Sequence, residues 1–261
     1  MLSLIKAEIK KSGLKISLFI LWAITLWFAP KIITYFPGVT INELYSDLFY
    51  KFYGITPLLG LIMFIICSGA YTKEYSSGMF SLINTTKMGK KHTVTAKWIA
   101  SGIMASVINL SVFGAMFFSV ASKAKFQGLN LPLKELWYFG KSGSSITVVQ
   151  LILITCVTLI LGSFIFTQIG LVLSSMSKSA VVPFLVGGFI MGLPYLAENI
   201  FRGMGIAKYL GLTPLWGMCY GQLIRYKTPF AANIFLIILF AASMIIIPKV
   251  TYKAFTNENR K

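Results

Sequence analysis

The chain has 261 residues, of which 56% are hydrophobic and 12% are charged, about half the charged fraction of a typical soluble domain. A soluble fold of this length has too little interior for so much apolar surface, and the same composition excludes a disordered chain. Much of the net charge of +17 comes from lysines at the edges of apolar segments, a pattern typical of contact with membrane lipids rather than with nucleic acid.

The gaps between charged residues predict about six transmembrane helices, because each apolar run is long enough to cross the hydrocarbon core of a bilayer. We therefore expect an all-α integral membrane protein with a single transmembrane domain over residues 1–261. The predicted spans cover residues 14–36, 53–72, 97–120, 147–174, 179–197 and 229–248.

The N-terminal residues predict an interfacial helix ahead of the first span, and a frayed basic leader is the open alternative. Leu2, Ile5 and Ile9 fall on one side at helical spacing, whereas the lysines of this segment lie elsewhere. The first apolar run is short unless Lys31 extends its side chain outward, which its position near Trp27 permits.

The distribution of Lys and Arg between alternate loops predicts the orientation of the chain. With the N-terminus inside, the cytoplasmic segments contain more than half of the 24 basic residues. Positive charge favours the cytoplasmic side of a membrane. We therefore expect a multi-pass protein of the cell membrane with both termini in the cytoplasm.

The loop over residues 73–97 is long and basic for a connection between two spans. Tyr75, Met79, Leu82 and Ile83 share one face at helical spacing, which predicts a short amphipathic helix after the second span. The residues alone leave two alternatives open. One is a helix that lies on lipid with a collar of lysines, and the other is a docking element for a partner. The residues alone slightly favour the helix on lipid.

Four short stretches of this loop also carry a resemblance to a known family. They are Glu74-Tyr-Ser-Ser-Gly78, the residues 82–86, Lys90-Lys91 and Ala96-Lys97. Together they resemble the cytoplasmic loop of the ABC type-2 transporter permease family, and the six-span plan, the N-terminal helix and the long loop before the last span are also similar to that family. One departure concerns the turn, since the family usually has a proline where this chain has Lys87.

The resemblance implies an exporter subunit that pairs with a second permease copy or a related permease. A coupling helix would fit into a cleft of a separate ATP-binding subunit, which would carry the ATP and Mg. The small outer loops and the apolar path favour a hydrophobic or amphipathic substrate, such as a peptide or drug. The residues implied in coupling are Glu74, Tyr75, Gly78, Met79, Leu82 and Ile83.

The chain itself is not expected to be an enzyme or to hold a cofactor. It contains no G-x-x-x-x-G-K-[ST] motif for nucleotide phosphates, and its one histidine, His92, lies in the basic loop, so we expect no catalytic or metal site. Two other function classes stay open. One is a membrane scaffold or immunity protein that sequesters a toxin without transport, and the other is a membrane enzyme acting on lipid.

Four amide side chains lie in or near the apolar runs, where an unsatisfied amide is costly. We expect them to face other helices or a water-filled path. Hydrogen bonds between helices are the commoner arrangement, and contact with a transported substrate is the alternative. The four residues are Asn109, Gln150, Gln168 and Asn233.

The fifth predicted span and the loop after it have an unusual composition. Pro183, Pro194 and the pair Gly187-Gly188 predict a short and interrupted helix. The loop over residues 198–227 is too apolar for an open solvent loop. The resemblance implies re-entrant helices there, and an amphipathic helix resting on the outer leaflet is the alternative.

Overall fold

The computed structural model describes residues 1–13, 15–85, 89–177, 179–201, 205, 209 and 217–256. Its regular elements over these ranges are helices, together with one isolated bridge between Pro132 and Thr147, which confirms the predicted all-α class. The α-helices are α1 (Leu2–Gly13), α2 (Ile16–Phe28), α3 (Ile41–Cys67), α4 (Thr72–Ser76), α5 (Met79–Thr85), α6 (Gly89–Lys123), α7 (Val148–Met176), α8 (Val181–Ile200), α9 (Tyr220–Arg225) and α10 (Phe230–Thr256).

Five segments are long and apolar enough to cross a membrane, and a sixth exists if one bent helix pair is counted as a span. The bent pair is Leu2–Gly13 with Ile16–Ile32, which meet at 72°. This is the architecture of a multi-pass membrane protein. The five single segments are Ile41–Ser76, Gly89–Lys123, Val148–Met176, Val181–Glu198 and Phe230–Thr256.

The first predicted span is shorter in the structure than the expected range of residues 14–36. Its helical path begins at Ile16 and ends in a 3-10 turn over Ala29–Ile32 that contains Pro30. Because proline has no backbone N–H, it favours such a tightened ending. Lys31 lies in this turn, with its Nζ 3.3 Å from the centroid of the Trp27 ring one turn earlier.

The second predicted span begins much earlier than residue 53, because a capping box starts α3 at Ile41. Glu43 Oε2 accepts a hydrogen bond of 2.8 Å from the Thr40 N–H, and the Glu43 N–H donates to the Thr40 hydroxyl. The charged residues that follow, Asp47 and Lys51, therefore lie on this helix. The helix that contains the second predicted span is thus longer than its charge-free run.

A lysine from the N-terminal region caps the C-terminal end of α3. Lys15 Nζ donates to the backbone carbonyls of Ile65, Ile66 and Ser68 at 2.6, 2.8 and 3.1 Å. Cations stabilise the carbonyl end of a helix, where the last C=O groups have no partner within the helix. The junction between α1 and α2 is thereby attached to the end of the second span.

Small residues let α3, α6 and α7 pack closely. A Cβ added at Gly102 of α6 would lie 2.4 Å from Phe164 of α7, and one at Gly170 of α7 would lie 2.7 Å from Cys67 Cβ of α3. Such close approach of backbones is typical of helix pairs in membranes.

The helices that contain the third and sixth predicted spans extend beyond the predicted ranges. α7 nearly coincides with its predicted range, whereas α6 covers eight further residues before position 97, and α10 continues through Pro248 to Thr256. The hydropathy pattern predicted only the apolar part of each helix. The polar continuations carry lysines such as Lys90 and Lys253 that do not belong in hydrocarbon.

The prediction of an interrupted fifth helix was wrong, because α8 runs continuously from Val181 to Ile200. Pro183 lies in its first turn, where the backbone needs no internal donor. Pro194 lies inside the helix without ending it. Gly187 serves packing instead, since an added Cβ would lie 2.3 Å from the ring of Phe64.

Much of the loop predicted to hold re-entrant helices lies outside the described residues, including residues 202–204, 206–208 and 210–216. Its described part contains α9, a six-residue helix whose Gln222 and Leu223 are buried. The Cys219 N-terminal to it is buried as well.

Candidate functional site

The loop after the second span forms two short helices rather than the single helix that its sequence predicts. α4 ends at Ser76 and α5 begins at Met79. Between them Gly78 has a φ of +71°, a left-handed conformation that favours glycine. The predicted common face is therefore divided, with Tyr75 on α4 and the other three positions, Met79, Leu82 and Ile83, on α5.

The two faces of α5 differ in exposure. Met79 and Leu82 are 46% and 63% exposed, whereas Phe80 is 8% exposed and Ile83 is half-buried. Phe80 and Ile83 are three residues apart, so they share the inward face of the helix. Phe80 lies off the predicted face because the helical spacing from Tyr75 assumes one helix through Gly78.

An aromatic cluster fixes this loop against the end of α10. Phe255 is fully buried, and its ring centroid lies 4.8, 5.9 and 5.2 Å from those of Tyr71, Tyr75 and Phe80. These separations are typical of favourable aromatic pairs. The Tyr75 hydroxyl also donates to the Ser175 carbonyl at 3.1 Å, which attaches α4 to the end of α7.

A cluster of buried charges joins α4 to α1 and α6. Glu74 is 4% exposed, and its Oε1 accepts from Lys97 Nζ at 2.9 Å and from Lys11 Nζ at 2.6 Å. Lys97 Nζ also donates to both carboxylate oxygens of Glu8 at 3.0 Å. Removing one member of such a cluster leaves an uncompensated buried charge.

These contacts divide the residues implied in coupling into two groups. Glu74 and Tyr75 face the interior of the protein, where they fasten the loop to neighbouring helices. Met79 and Leu82 face outward. A partner molecule can therefore contact α5 at Met79 and Leu82. Glu74 is buried and instead fastens the loop to Lys97.

Two of the predicted amides lie between helices. Asn109 is fully buried, and its Nδ2 donates to Ser163 Oγ at 2.8 Å and to Met63 Sδ at 3.2 Å. Gln168 Nε2 donates to Met244 Sδ at 3.8 Å, which links α7 to α10. This is the hydrogen bonding between helices that the sequence analysis named as the commoner arrangement.

The other two amides have different positions. Gln150 is exposed at the start of α7, where its Oε1 accepts a hydrogen bond of 2.9 Å from the Thr147 N–H and completes a capping box. Gln150 therefore caps its own helix, and its place along a path stays a prediction. Asn233 is half-buried in the first turn of α10, and its Oδ1 has no hydrogen-bond partner among the described residues.

A second candidate site is a cavity of about 480 Å³ between α2, α3, α8 and α9, which we call the Glu198 cavity. Charged and aromatic side chains form much of its wall, and apolar groups complete it. The polar part is Tyr50, Lys51, Tyr53, Tyr195, Glu198 and Arg225, and the remainder is Phe28, Ile32, Gly54 and Ile55.

Glu198 is held in this wall by three partners. Its two oxygens accept hydrogen bonds from the hydroxyls of Tyr53 and Tyr226, at 2.5 and 2.6 Å, and Arg225 Nη1 lies 3.8 Å away. In the sequence, Glu198 is the first residue of the apolar loop over residues 198–227. Its partners come from positions as distant as 145 residues along the chain, so no local pattern indicates the network.

The chain matches no protein-family model, and no curated protein is significantly similar to it. Over the described residues, no group of three or more His, Cys, Asp or Glu side chains is arranged to hold a metal ion. The candidate sites of the described residues are therefore α5 with its adjoining charge cluster and the Glu198 cavity.

Proposed function

We propose that the chain is the transmembrane permease subunit of an ATP-binding-cassette exporter, and that α5 is its contact with a separate ATPase subunit. One observation carries the proposal. α5 lies between the second and third spans and exposes Met79 and Leu82, and its buried Phe80 packs against Phe255. Exposed apolar side chains on a rigidly held short helix suit insertion into a groove of a partner.

The attachments of the loop support a role in transmitting motion. Phe80 contacts Phe255 of α10, Tyr75 contacts the end of α7, and Glu74 contacts Lys97 of α6. A displacement of α5 by a partner therefore acts on three membrane helices together. Packed side chains and ion pairs of this kind carry coupling between distant sites.

In the proposed assembly two permeases pair, as two copies of this chain or as this chain with a related one, and two ATPase subunits dock on their α5 helices. ATP and Mg bind to the ATPase subunits, whose closure draws the α5 helices together and reshapes the path between the permeases. The protein lies in the cell membrane with both termini in the cytoplasm. The preferred substrate is a hydrophobic or amphipathic peptide or drug.

The first test is purification of the chain from its native membranes. We expect a polypeptide with the G-x-x-x-x-G-K-[ST] motif to co-purify and to hydrolyse ATP. A double variant, Met79→Ser with Leu82→Ser, is expected to lose most of this polypeptide while keeping the fold, since both side chains are exposed.

The matched control is Met176→Ser, because Met176 is 50% exposed at the end of α7 and lies outside α5. It should retain the ATPase. If the double variant also retains the ATPase at full hydrolysis, α5 is not the contact, and the alternative of a helix resting on lipid is correct for Met79 and Leu82.

A further inference from the structure

The Glu198 cavity contains more positive than negative charge. Its wall has two cations, Lys51 and Arg225, and one carboxylate, Glu198. The carboxylate is already bonded to two tyrosine hydroxyls and lies near Arg225. Lys51 forms no ion pair with any carboxylate of the described residues, and its Nζ lies 5.5 Å from the centroid of the Tyr50 ring.

In this wall the charged Lys51 lies next to apolar side chains. Lys51 and Ile55 are four residues apart on α3, so they lie on the same face of the helix one turn from each other. Ile55 begins the apolar part of the wall, which Phe28 and Ile32 complete from the first span. The cavity therefore offers a cation with apolar side chains next to it.

The size of the cavity suits a small molecule. Its volume of about 480 Å³ falls within the range of roughly 300–1,000 Å³ occupied by small-molecule sites. Such sites are usually apolar and aromatic with a few well-placed polar groups. The tyrosines Tyr50, Tyr53 and Tyr195, together with Lys51, have this composition.

We propose that the Glu198 cavity binds an amphipathic ligand whose anionic group pairs with Lys51 and whose apolar part lies against Ile55 and Phe28. Glu198 and Arg225 neutralise each other and hold the wall in position. A neutral ligand of the same shape leaves the Lys51 ammonium without a counter-charge, so it binds more weakly. This proposal concerns binding to the isolated chain and does not depend on an ATPase partner.

The test uses the purified full-length chain in phosphatidylcholine nanodiscs and the fluorescent probe 11-(dansylamino)undecanoate, with its methyl ester as the neutral analogue. We expect saturable binding of the acid and binding of the ester weaker by about tenfold. Lys51→Gln is expected to weaken binding of the acid by a similar factor and to leave binding of the ester unchanged.

A second variant fills the cavity without disturbing the helix. Gly54 lines the cavity, and a Cβ added there meets no atom within 4 Å, so Gly54→Leu is expected to fold and to abolish binding of both probes. Gly114→Leu is its control on α6, since an added Cβ there also meets nothing within 4 Å. Lys123→Gln controls for Lys51, because Lys123 likewise lies near a tyrosine ring, at 5.0 Å from Tyr35.

Nanodiscs with added phosphatidylglycerol identify the source of the anionic group. If phosphatidylglycerol competes with the acid, a bilayer lipid occupies the cavity. If it does not compete, the ligand comes from solution. Both ligands are amphiphiles of the proposed class. The proposal is overturned if acid and ester bind equally well, if Lys51→Gln binds the acid as the wild type does, or if Gly54→Leu retains saturable binding.

Discussion

The ammonium of Lys97 lies 2.9 Å from Oε1 of Glu74, and this contact joins the loop after the second span to helix α6. The same ammonium bonds the carboxylate of Glu8 on α1. The side chain of Lys97 is 1% exposed. A substitution at Glu74 therefore perturbs the fold as well as the loop, and tests of coupling belong at exposed positions instead.

The first prediction concerns this charge cluster. Lys97→Met is expected to destabilise the protein by about 3 kcal/mol or more, because it leaves Glu8 without its ion partner and Glu74 with Lys11 alone. Thermal unfolding in a neutral detergent measures the effect. Lys91→Met, at an exposed lysine of α6, should be close to neutral, and equal losses in the two variants would contradict the structural role of the cluster.

The second prediction separates the two faces of α5. Phe80→Ala is expected to cost about 3 kcal/mol, since it removes a buried ring packed against Tyr75 and Phe255. Met79→Ala should change the free energy of unfolding by no more than about 0.5 kcal/mol, because its side chain is half-exposed. Comparable melting temperatures for Phe80→Ala and the wild type would show that α5 is not anchored as described.

A third prediction concerns the contact between α6 and α7. Gly102→Ala is expected to destabilise the protein by about 1–3 kcal/mol, because the new methyl group overlaps the ring of Phe164. Gly114→Ala has open space and should be neutral or slightly stabilising. Thermal unfolding of the two variants under one condition gives the comparison, and an order reversed from this one is the contrary result.

The fourth prediction distinguishes a helix cap from a path-lining residue at Gln150. Gln150→Leu is expected to cost about 1 kcal/mol of stability through loss of the capping box, and Gln150→Glu should retain the box. Neither variant should change the substrate range in a transport or susceptibility assay. A changed substrate range at unchanged stability would indicate that Gln150 lines the transport path.

Local patterns in the sequence account for part of this structure. The apolar runs predict the membrane helices, and the amphipathic spacing after the second span predicts a helix near Met79 and Leu82. The start of α3 was also readable, since Thr40 and Glu43 have the spacing of a capping box. The hydropathy pattern predicts a later start, because Asp47 and Lys51 interrupt the apolar run.

Other features depend on contacts that no local pattern encodes. Glu74 and Lys97 are 23 residues apart, and Tyr53 and Glu198 are 145 apart, so neither pair has a characteristic spacing. The role of Phe80 depends on Phe255 near the end of the last helix. Such pairings form only when separate helices pack, so neither buried charge network could be predicted from local patterns.

The most direct measurement for the proposed function is site-specific crosslinking at Leu82, which is 63% exposed, compared with 46% for Met79. Leu82→Cys, in the complex with its ATPase and treated with a short thiol–amine crosslinker, is expected to yield a product containing both chains. The parent protein with its native Cys67, Cys156 and Cys219 and the variant Met176→Cys are the controls, and neither should yield this product. Absence of the product with Leu82→Cys, in a complex that still hydrolyses ATP, would contradict the assignment of α5 as the contact with the ATPase.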